Sequence, residues 1–355
     1  MKGLVLCAGR GTRLRPLTYT IAKQLIPVAN RPVIHYNLNF LKNAGIRELA
    51  VVVNPDNHHV FKDFLKDGSE LNMKIDYVVQ QEPRGIADAV YKAREFLKED
   101  PFLLILGDNL IFDDITPSVE KFKNSQCEAM VLLAPVEDPR AYGVAVIEND
   151  HIKRVVEKPK EPPSNLAIVG IYMFRSQIFE AIENIKPSQR GELEITDAIE
   201  YLIEKGYDVK ARTVRGWWKD TGKPEDLLEA NRQILDDMKL GDIKGHVDSS
   251  SRIQGRVSIG ENSQVIESII RGPVIIGSNC TVKHSYVGPY TSIGDDVELE
   301  QSEIENSILM SKSKVSKVRA RIDSSVLGQS SEIHQNGVLP RVMKVVIGDL
   351  SIIEL

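Results

Sequence analysis

The 355-residue sequence predicts an α/β fold with a mixed, mostly parallel sheet, followed by a parallel β-helix. Two periodicities support this prediction. Up to about residue 235, short β-branched runs such as 49–53 and 129–133 alternate with longer helical stretches. After Lys244, aliphatic residues recur every six positions, and several of them are followed by glycine. The length suits two to three domains at roughly 150 residues each.

The first part of the chain alternates continuous apolar strands with amphipathic segments. The expected strands include 49–53, 75–79, 103–106 and 129–133, and the expected helices are 33–43, 86–97, 196–204 and 227–240. Strands that are apolar on both faces are typical of a largely parallel sheet covered by helices on both sides. The apolar run after Lys2 is too short for a signal-peptide core and turns polar at Arg10, so it is predicted to be a buried strand.

The second part carries a hexapeptide period. Its six-residue spacings join Ile253, Ile259 and Val265, then Ile276 and Val282, then Val287, Ile293 and Leu299. In a parallel β-helix, each short strand directs one aliphatic side chain inward, and stacking of the coils supplies the core. Chance spacing in a β-sandwich is the alternative. We expect domains at 1–240 and 241–355, with the aperiodic segment 338–355 capping the solenoid.

Composition excludes several classes of protein. Hydrophobic residues are 42% and charged residues 27%, which is typical of a folded chain. A net charge of −5 argues against broad binding to nucleic acid or to an anionic membrane. No apolar run approaches the ~20 residues that span a bilayer. The three cysteines are far apart, which argues against a disulfide scaffold or zinc finger and favours the cytoplasm.

A glycine loop follows the first strand. Gly9 and Gly11 can bring backbone N–H groups close to a phosphate, and Arg13, Arg15 and Lys23 add positive charge. The pattern is neither GxGxxG nor a P-loop. A tight turn between strand and helix is the alternative, but the clustered cations favour an anionic, triphosphate-like ligand.

The loop resembles a family signature. Gly-x-Gly-Thr-Arg-Leu-x-Pro-x-Thr from Gly9, followed by Lys-Gln-Leu-Ile-Pro-Val from Lys23, is similar to the sugar nucleotidyltransferases. Within that family, the chain most resembles the glucose-1-phosphate thymidylyltransferases of the long form, over about 1–235 and the hexapeptide tail. The resemblance implies a Rossmann-like catalytic domain and a left-handed β-helix. Ala8 departs from the family, which often has glycine at this position.

The resemblance implies an activity. The chain is expected to transfer a nucleotidyl group from dTTP to glucose 1-phosphate by Mg²⁺-dependent in-line attack, giving dTDP-glucose and pyrophosphate. Because the attacking phosphate is already ionised, catalysis needs positioning and charge compensation rather than a covalent nucleophile. The solenoid suggests a homo-oligomer. The implied catalytic residues are Arg13, Lys23, Asp108 and Lys158.

The implied nucleotide-binding residues lie at the ends of three strands. They are Ala8, Gly9, Gly11, Thr12, Arg13, Gln80, Gly85 and Asp108. By resemblance, Gln80 and Gly85 contact the pyrimidine base. From the residues alone, an ordinary polar loop would be the preferred interpretation.

The predicted metal ligands are Asp108 and Asp220. Asp108 closes an apolar strand, and Asp220 belongs to Trp-x-Asp-Thr-Gly. Carboxylates at a sheet edge suit Mg²⁺, which takes one or two of them together with substrate phosphates. The alternative for a lone Asp at a strand end is a turn or a helix cap. The sequence does not indicate that the two carboxylates meet, but the resemblance implies it.

The remaining matches are expected to bind the sugar phosphate. They are Tyr142, Gly143, Glu157, Lys158, Val169, Arg190 and Glu194. Glu157 and Glu194 are candidates for sugar hydroxyls, and Lys158 and Arg190 for phosphate. Alternatively, Glu157 and Lys158 form an exposed pair, and Thr196 caps the following helix.

Three other functions compete with this one. The first uses UTP or another nucleotide, or another sugar phosphate. The second adds acetyl transfer in the β-helix, with His246, His284 or His334 as base. The third is a non-catalytic regulatory subunit that binds a sugar nucleotide.

Overall fold

The computed structural model describes residues 1–239 and 241–335, and the predicted capping segment 338–355 lies outside them. The chain forms two compact units, each discontinuous in sequence. The first contains Met1–Arg10 and Ile34–Asp220, and the second contains Gly11–Val33 with the chain from residue 221 onward. Nowhere in the described stretches does a helix have the length and apolarity that a membrane crossing requires.

The elements before residue 240 alternate as expected, with two differences in the helices. The strands are β1 (Lys2–Leu6), β2 (Pro27–Val28), β3 (Arg31–Pro32), β4 (Glu48–Val53), β5 (Lys74–Val79), β6 (Phe102–Leu106), β7 (Asn109–Phe112), β8 (Ala129–Pro135), β9 (Gly143–Glu148), β10 (His151–Glu157), β11 (Leu166–Phe174), β12 (Val209–Thr213) and β13 (Trp217–Asp220). The helices are α1 (Val33–Asn43), α2 (His58–Leu65), α3 (Ile86–Lys92), α4 (Arg94–Leu97), α5 (Thr116–Asn124), α6 (Gln177–Asn184), α7 (Ile195–Glu204) and α8 (Pro224–Asp236). The predicted helix 86–97 is divided at Ala93, and the predicted helix 227–240 begins and ends earlier than expected.

A nine-stranded sheet forms the centre of the first unit, in the order β5-β4-β1-β6-β11-β8-β12-β10-β9. The strands β5, β4, β1 and β6 run parallel, as do β8 and β12. β11 runs antiparallel to β6 and β8, and β10 runs antiparallel to β9 and β12. The sheet is therefore mixed, and its antiparallel share is larger than the sequence predicts. One cause is the two-residue turn at Asn149 and Asp150, whose φ values of 50° and 68° suit a β9–β10 hairpin.

The core of this sheet explains its apolar strands. Leu4 in β1 and Leu104 in β6 are fully buried, and they pack in one cluster with Val90 of α3 and Ile199 of α7. Val5 and Val51 on the opposite face are also fully buried. Helices therefore cover strands that have no polar face. Because β1, β5 and β6 belong to the parallel part of the sheet, their carboxyl ends lie at the same edge.

Beyond residue 240, the described chain forms short strands in three parallel sheets, consistent with a parallel β-helix. The strands are β14 (His246–Val247), β15 (Arg252–Gln254), β16 (Val257–Ile259), β17 (Gln264–Ile266), β18 (Ile269–Arg271), β19 (Val274–Ile276), β20 (Thr281–Lys283), β21 (Tyr286–Val287), β22 (Thr291–Ile293), β23 (Glu298–Glu300), β24 (Glu303–Ile304), β25 (Ile308–Leu309), β26 (Lys314–Ser316), β27 (Val326–Leu327) and β28 (Glu332–His334).

The register of these strands explains the hexapeptide period. Ile259, Ile276 and Ile293 are aligned in neighbouring coils and are at most 1% exposed. Three strands share each coil, so inward-facing residues recur about every six positions. The period drifts where coil length changes: Ser292 is aligned with Ile308, and Ile308 with Val326.

Within the second unit, the segment 11–33 packs with α8 and the coils. The side chain of Asn231 in α8 is 1% exposed. Its Oδ1 accepts from the backbone N–H of Ala29 at 2.8 Å, and its Nδ2 donates to the carbonyl of Tyr290 at 2.8 Å. Asn30 donates to the carbonyl of Ile293 at 2.6 Å. The chain from Gly11 onward therefore packs with the β-helix, whereas Gly9 belongs to the first unit.

Candidate active site

A cavity of about 180 Å³ in the first unit brings together most of the predicted metal and sugar-phosphate residues. The predicted residues that line it are Asp108, Tyr142, Gly143, Glu157, Lys158, Arg190, Glu194 and Asp220. Val169 does not line it: this side chain is fully buried, whereas its neighbours Ile168 and Gly170 face the cavity.

Two carboxylates share one wall of this cavity. Asp108 follows β6 and is 7% exposed. Asp220 ends β13, which pairs antiparallel with β7 so that Asp220 lies opposite Asn109. Asn109 directly follows Asp108 in the chain, so the pairing with Asn109 brings Asp220 near Asp108. Two oxygen donors beside a cavity fit a divalent cation whose coordination is completed by phosphate oxygens and water. Within the described residues, no group of three or more His, Cys, Asp or Glu forms a self-sufficient metal cage.

Another part of the cavity is formed where β10 ends. The backbone N–H of Lys158 donates to the carbonyl of Tyr142 at 3.0 Å, which brings these two predicted residues together. Lys158 has a φ of 42°, a left-handed conformation that non-glycine residues seldom adopt. Strain of this kind is concentrated at functional sites.

Glu157 is the centre of an ion-pair network. Its Oε1 is 3.1 Å from Nη2 of Arg190 and 3.6 Å from Nζ of Lys158, and its Oε2 accepts from Thr196 Oγ1 at 3.2 Å. Burial raises the pKa of Glu157, and the nearby Glu194 also raises it, while Lys158 and Arg190 lower it. The side chain is 23% exposed, so it can still reach a ligand. It is therefore not a simple exposed pair with Lys158.

Arg190 is held by several carboxylates. Its Nη2 is 2.8 Å from Glu194 Oε1 and 3.6 Å from Glu192 Oε2, in addition to its contact with Glu157. Burial would lower the pKa of Arg190, but these carboxylates raise it overall. Much of its charge is therefore already compensated. Ser188 also donates to Glu194, which is 4% exposed.

Three residues of this cavity, Asn109, Thr196 and Trp218, have roles that the sequence did not predict. Trp218 Nε1 donates to Asn109 Oδ1 at 2.7 Å, and the Trp218 ring contacts Tyr142 edge-on at 5.4 Å between centroids. Thr196 is bonded to Glu157, and it is not the cap of α7, which begins after Glu194. Trp218 and Thr196 lie inside the motifs that carry the resemblance, so the motifs could have indicated both residues.

A second cavity, of about 120 Å³, lies at the ends of β1 and β5. Gln80 and Ala8 line it, together with Arg10, Asn54 and Asp56. The cavity brings two predicted nucleotide-binding residues together.

Gly85 lies next to Gln80, because its carbonyl accepts from Gln80 Nε2 at 3.1 Å. Gly85 has a φ of +100°, and a Cβ there would be 2.5 Å from the carbonyl oxygen of Leu193. Only glycine fits this close approach.

Of the other predicted nucleotide residues, Gly9 and Asp108 are in the first unit, and Gly11, Thr12 and Arg13 are in the second. Gly11 has a φ of 63° and begins the turn Thr12–Leu14, and its carbonyl accepts from Thr18 Oγ1 at 2.7 Å. A Cβ on Gly11 would be 3.2 Å from the Cβ of Lys23, so these two predicted residues are neighbours. Thr12 and Arg13 are exposed at this turn.

Comparison with known proteins agrees with this geometry. The family model described as nucleotidyl transferase matches residues 2–237. A glucose-1-phosphate thymidylyltransferase of Streptomyces griseus is 42% identical over 99% of this chain and 98% of its own length. The low-salt glycan biosynthesis nucleotidyltransferase Agl11 of Haloferax volcanii is 41% identical over the full length of both chains.

Solved structures give the same result. A Bacillus anthracis structure described as a glucose-1-phosphate thymidylyltransferase in complex with a sucrose has a TM-score of 0.63 and 39% identity. The match covers 68% of this chain and 98% of that chain. With a family model that spans most of the sequence and relatives aligned along nearly its whole length, the chain belongs to the nucleotidyl transferase family.

Proposed function

We propose that the protein transfers a thymidylyl group from dTTP to glucose 1-phosphate and releases pyrophosphate. The observation that carries this proposal is the first cavity, which joins two carboxylates, Asp108 and Asp220, to the cationic and carboxylate side chains Lys158, Arg190 and Glu157. The Streptomyces griseus relative, which matches nearly the whole chain, is named for this activity.

The reaction joins two anions. A phosphate oxygen of glucose 1-phosphate forms a bond to the α-phosphorus of dTTP, and the bond from that phosphorus to the bridging oxygen of the β-phosphate breaks. The electron pair leaves with pyrophosphate. Since both reactants are negative, the protein must hold them in line and compensate charge.

Nucleotidyltransferases of this family generally need a divalent metal. We infer that the metal is Mg²⁺ and that Asp108 and Asp220 hold it, because two carboxylates leave coordination positions for triphosphate oxygens. Bound there, Mg²⁺ would neutralise charge on the triphosphate.

The cationic side chains compensate the charge of the two substrates. Arg13 stabilises the departing pyrophosphate, and Lys23 supports it. Lys158 holds the attacking phosphate as a point charge. Glu157 and Glu194 compensate much of the charge of Arg190. Arg190 in turn holds these two carboxylates in position to accept hydrogen bonds from sugar hydroxyls. To contact the phosphate as well, Arg190 must divide its N–H donors between the phosphate and the carboxylates.

The test is a panel of nucleoside triphosphates and sugar 1-phosphates with Mg²⁺, in which pyrophosphate release is measured. The highest kcat/KM is expected for dTTP with glucose 1-phosphate. Asp108→Asn and Asp220→Asn should abolish Mg²⁺-dependent turnover, whereas Asp76→Asn, at an exposed position in β5, should not. A higher kcat/KM with UTP would establish the first alternative. No release with any pair would establish the regulatory subunit.

The acetyltransferase alternative is tested separately. His284 Nδ1 lies 3.1 Å from Glu267 Oε2, an arrangement that could orient a base. Transfer from acetyl-CoA to an amino sugar phosphate would reveal a second activity.

The finer features of the fold and assembly are also proposals. We infer that the β-helix is left-handed, as the resemblance implies, and that copies of the chain associate, as the solenoid suggests. The cysteine usage favours the cytoplasm as their location. The domain boundary near residue 240 stays a prediction. An experimental structure would determine the coil sense, and light scattering would determine the copy number.

A further inference from the structure

The amide of Gln80 is fixed in one orientation. Its Nε2 donates to Asp88 Oδ2 at 2.8 Å and to the Gly85 carbonyl at 3.1 Å. Both partners are acceptors, and an amide nitrogen has two N–H groups to give. The nitrogen must therefore face Asp88 and Gly85, and the carbonyl oxygen Oε1 must point elsewhere.

Burial makes this orientation costly to reverse. Gln80 is 5% exposed and Asp88 is 8% exposed. Turning the amide over would bring Oε1 against a carboxylate and a carbonyl in a poorly solvated place, and would lose both hydrogen bonds. Asp88 lies in the first turn of α3, whose backbone holds it in position.

The outcome is an acceptor at the second cavity. Gln80 lines that cavity, and its Oε1 accepts no hydrogen bond from residues 1–239 and 241–335. A fixed acceptor complements a ring N–H. Among pyrimidines, thymine and uracil have an N–H at N3, whereas cytosine has a lone pair there.

We propose that Asp88 is a positioning residue for base selection: it fixes the Gln80 amide so that Oε1 accepts from the N3–H of thymine or uracil and rejects cytosine. The inference depends on the proposed function, since that function puts the base in the second cavity. The competing explanation is that Asp88 only stabilises the N-terminus of α3 through the helix dipole.

The test compares dTTP with 5-methyl-dCTP, which keeps the methyl group and changes only the 4-position and N3. With glucose 1-phosphate as co-substrate, the ratio of their kcat/KM values should be about 10² or more in the unmodified protein. In Asp88→Ala, the ratio should fall about tenfold, roughly the effect of one hydrogen bond. The change should appear in the nucleotide KM, while the KM for glucose 1-phosphate stays constant. Asp88→Asn, which can still accept, should have an intermediate ratio.

Glu180→Ala is the matched control, because Glu180 is the first-turn acid of α6. Loss of helix-dipole stabilisation, and of the hydrogen bonds that Tyr201 and Tyr207 donate to Glu180, should lower the melting temperature of this variant without altering the nucleotide ratio. An unchanged ratio in Asp88→Ala would overturn the inference. If that variant does not fold, Asp88→Ser is used by the same criterion.

The two proposals fail differently. If the unmodified protein releases no pyrophosphate from dTTP and glucose 1-phosphate, the proposed function is wrong. If it turns over but uses 5-methyl-dCTP equally well, only the inference about Asp88 is wrong.

Discussion

Arg13 is the side chain whose removal should affect chemistry most selectively. It is exposed in the turn Thr12–Leu14. Arg13→Ala should lower kcat about 10²–10³-fold, as expected for loss of one donor to developing charge. The KM for glucose 1-phosphate should change little, since Arg13 is assigned to the other substrate. Steady-state kinetics with both substrates varied checks this.

Arg15→Ala is the control for Arg13. The Arg15 guanidinium lies 5.0 Å from the centroid of the Tyr19 ring, so it has a local structural partner. This variant should keep kcat within a fewfold of the unmodified value. Equal losses of kcat in both variants would mean that turnover depends on the positive charge of the loop in general and not on Arg13 specifically.

Glu157 should make the folded state less stable as the pH rises. Burial raises its pKa above the usual value of about 4.3. A raised carboxyl pKa means that the folded state binds the proton more tightly. The free energy of unfolding therefore falls as the pH increases from the unfolded pKa through the folded pKa.

Glu157→Gln tests this cost. Its melting temperature, relative to that of the unmodified protein, should increase between about pH 4 and pH 8, while kcat/KM for glucose 1-phosphate falls. Calorimetry across that range measures the difference. A difference that shrinks with pH would show that the ion pairs with Arg190 and Lys158 outweigh burial.

Sequence reasoning found residues with a distinctive local motif, and missed those defined by a partner elsewhere in the chain. Asp108 and Asp220 were expected to meet only by resemblance, and the β7–β13 register brings Asn109 opposite Asp220. Asp88 gave no signal, because its significance depends on a hydrogen bond to Gln80, at the end of another element.

At the scale of elements, the turn before α3 should tolerate no side chain. The backbone of Gly85, at φ +100°, is accessible essentially to glycine alone, and a Cβ would meet the Leu193 carbonyl. Gly85→Ala should destabilise the protein by about 2–5 kcal/mol, from backbone strain and overpacking together. It should also raise the KM for dTTP, since Gln80 bonds to Gly85.

Gly206→Ala separates conformational strain from crowding. Gly206 has a φ of +82°, and apart from its chain neighbours no described residue lies within 4 Å of an added Cβ. We expect a loss of about 1–2 kcal/mol with unchanged nucleotide KM. Denaturant titration of both variants makes the comparison, and equal losses would exclude the contact with Leu193 as a cause.

The elements themselves were predictable to the extent that hydrophobic periodicity defines them. Strands such as β4 and the inward-facing residues of the coils follow directly from it. The direction of β11 does not, because an apolar run is the same in parallel and antiparallel pairing. The break at Ala93 also lacks a Gly or Pro signal.

At the scale of the whole molecule, Asn231 should couple the β-helix to catalysis. Asn231→Ala leaves the Ala29 N–H and the Tyr290 carbonyl without this partner. The expected loss is roughly 2–5 kcal/mol for one buried and one partly buried group. Because the segment 11–33 carries Arg13 and Lys23, kcat should also fall.

Hydrogen exchange of the 11–33 segment, measured with kcat, checks this coupling. Asn184→Ala is the control, since the Asn184 side chain donates an exposed hydrogen bond to the Glu180 carbonyl within α6. Normal kcat and protection in Asn231→Ala would show that the segment is held by other contacts. The discontinuous units could not be predicted from composition, because they depend on packing between distant residues.

The long separation between Ala29 and Asn231, 202 residues, also constrains biosynthesis. At about 5–20 residues per second, roughly 10–40 s pass between their appearance at the ribosome. During that interval the glycine loop has been translated, yet the helix and coils on which it rests do not exist. A nascent chain should therefore be inactive until the β-helix has been synthesised, however early its sheet has folded.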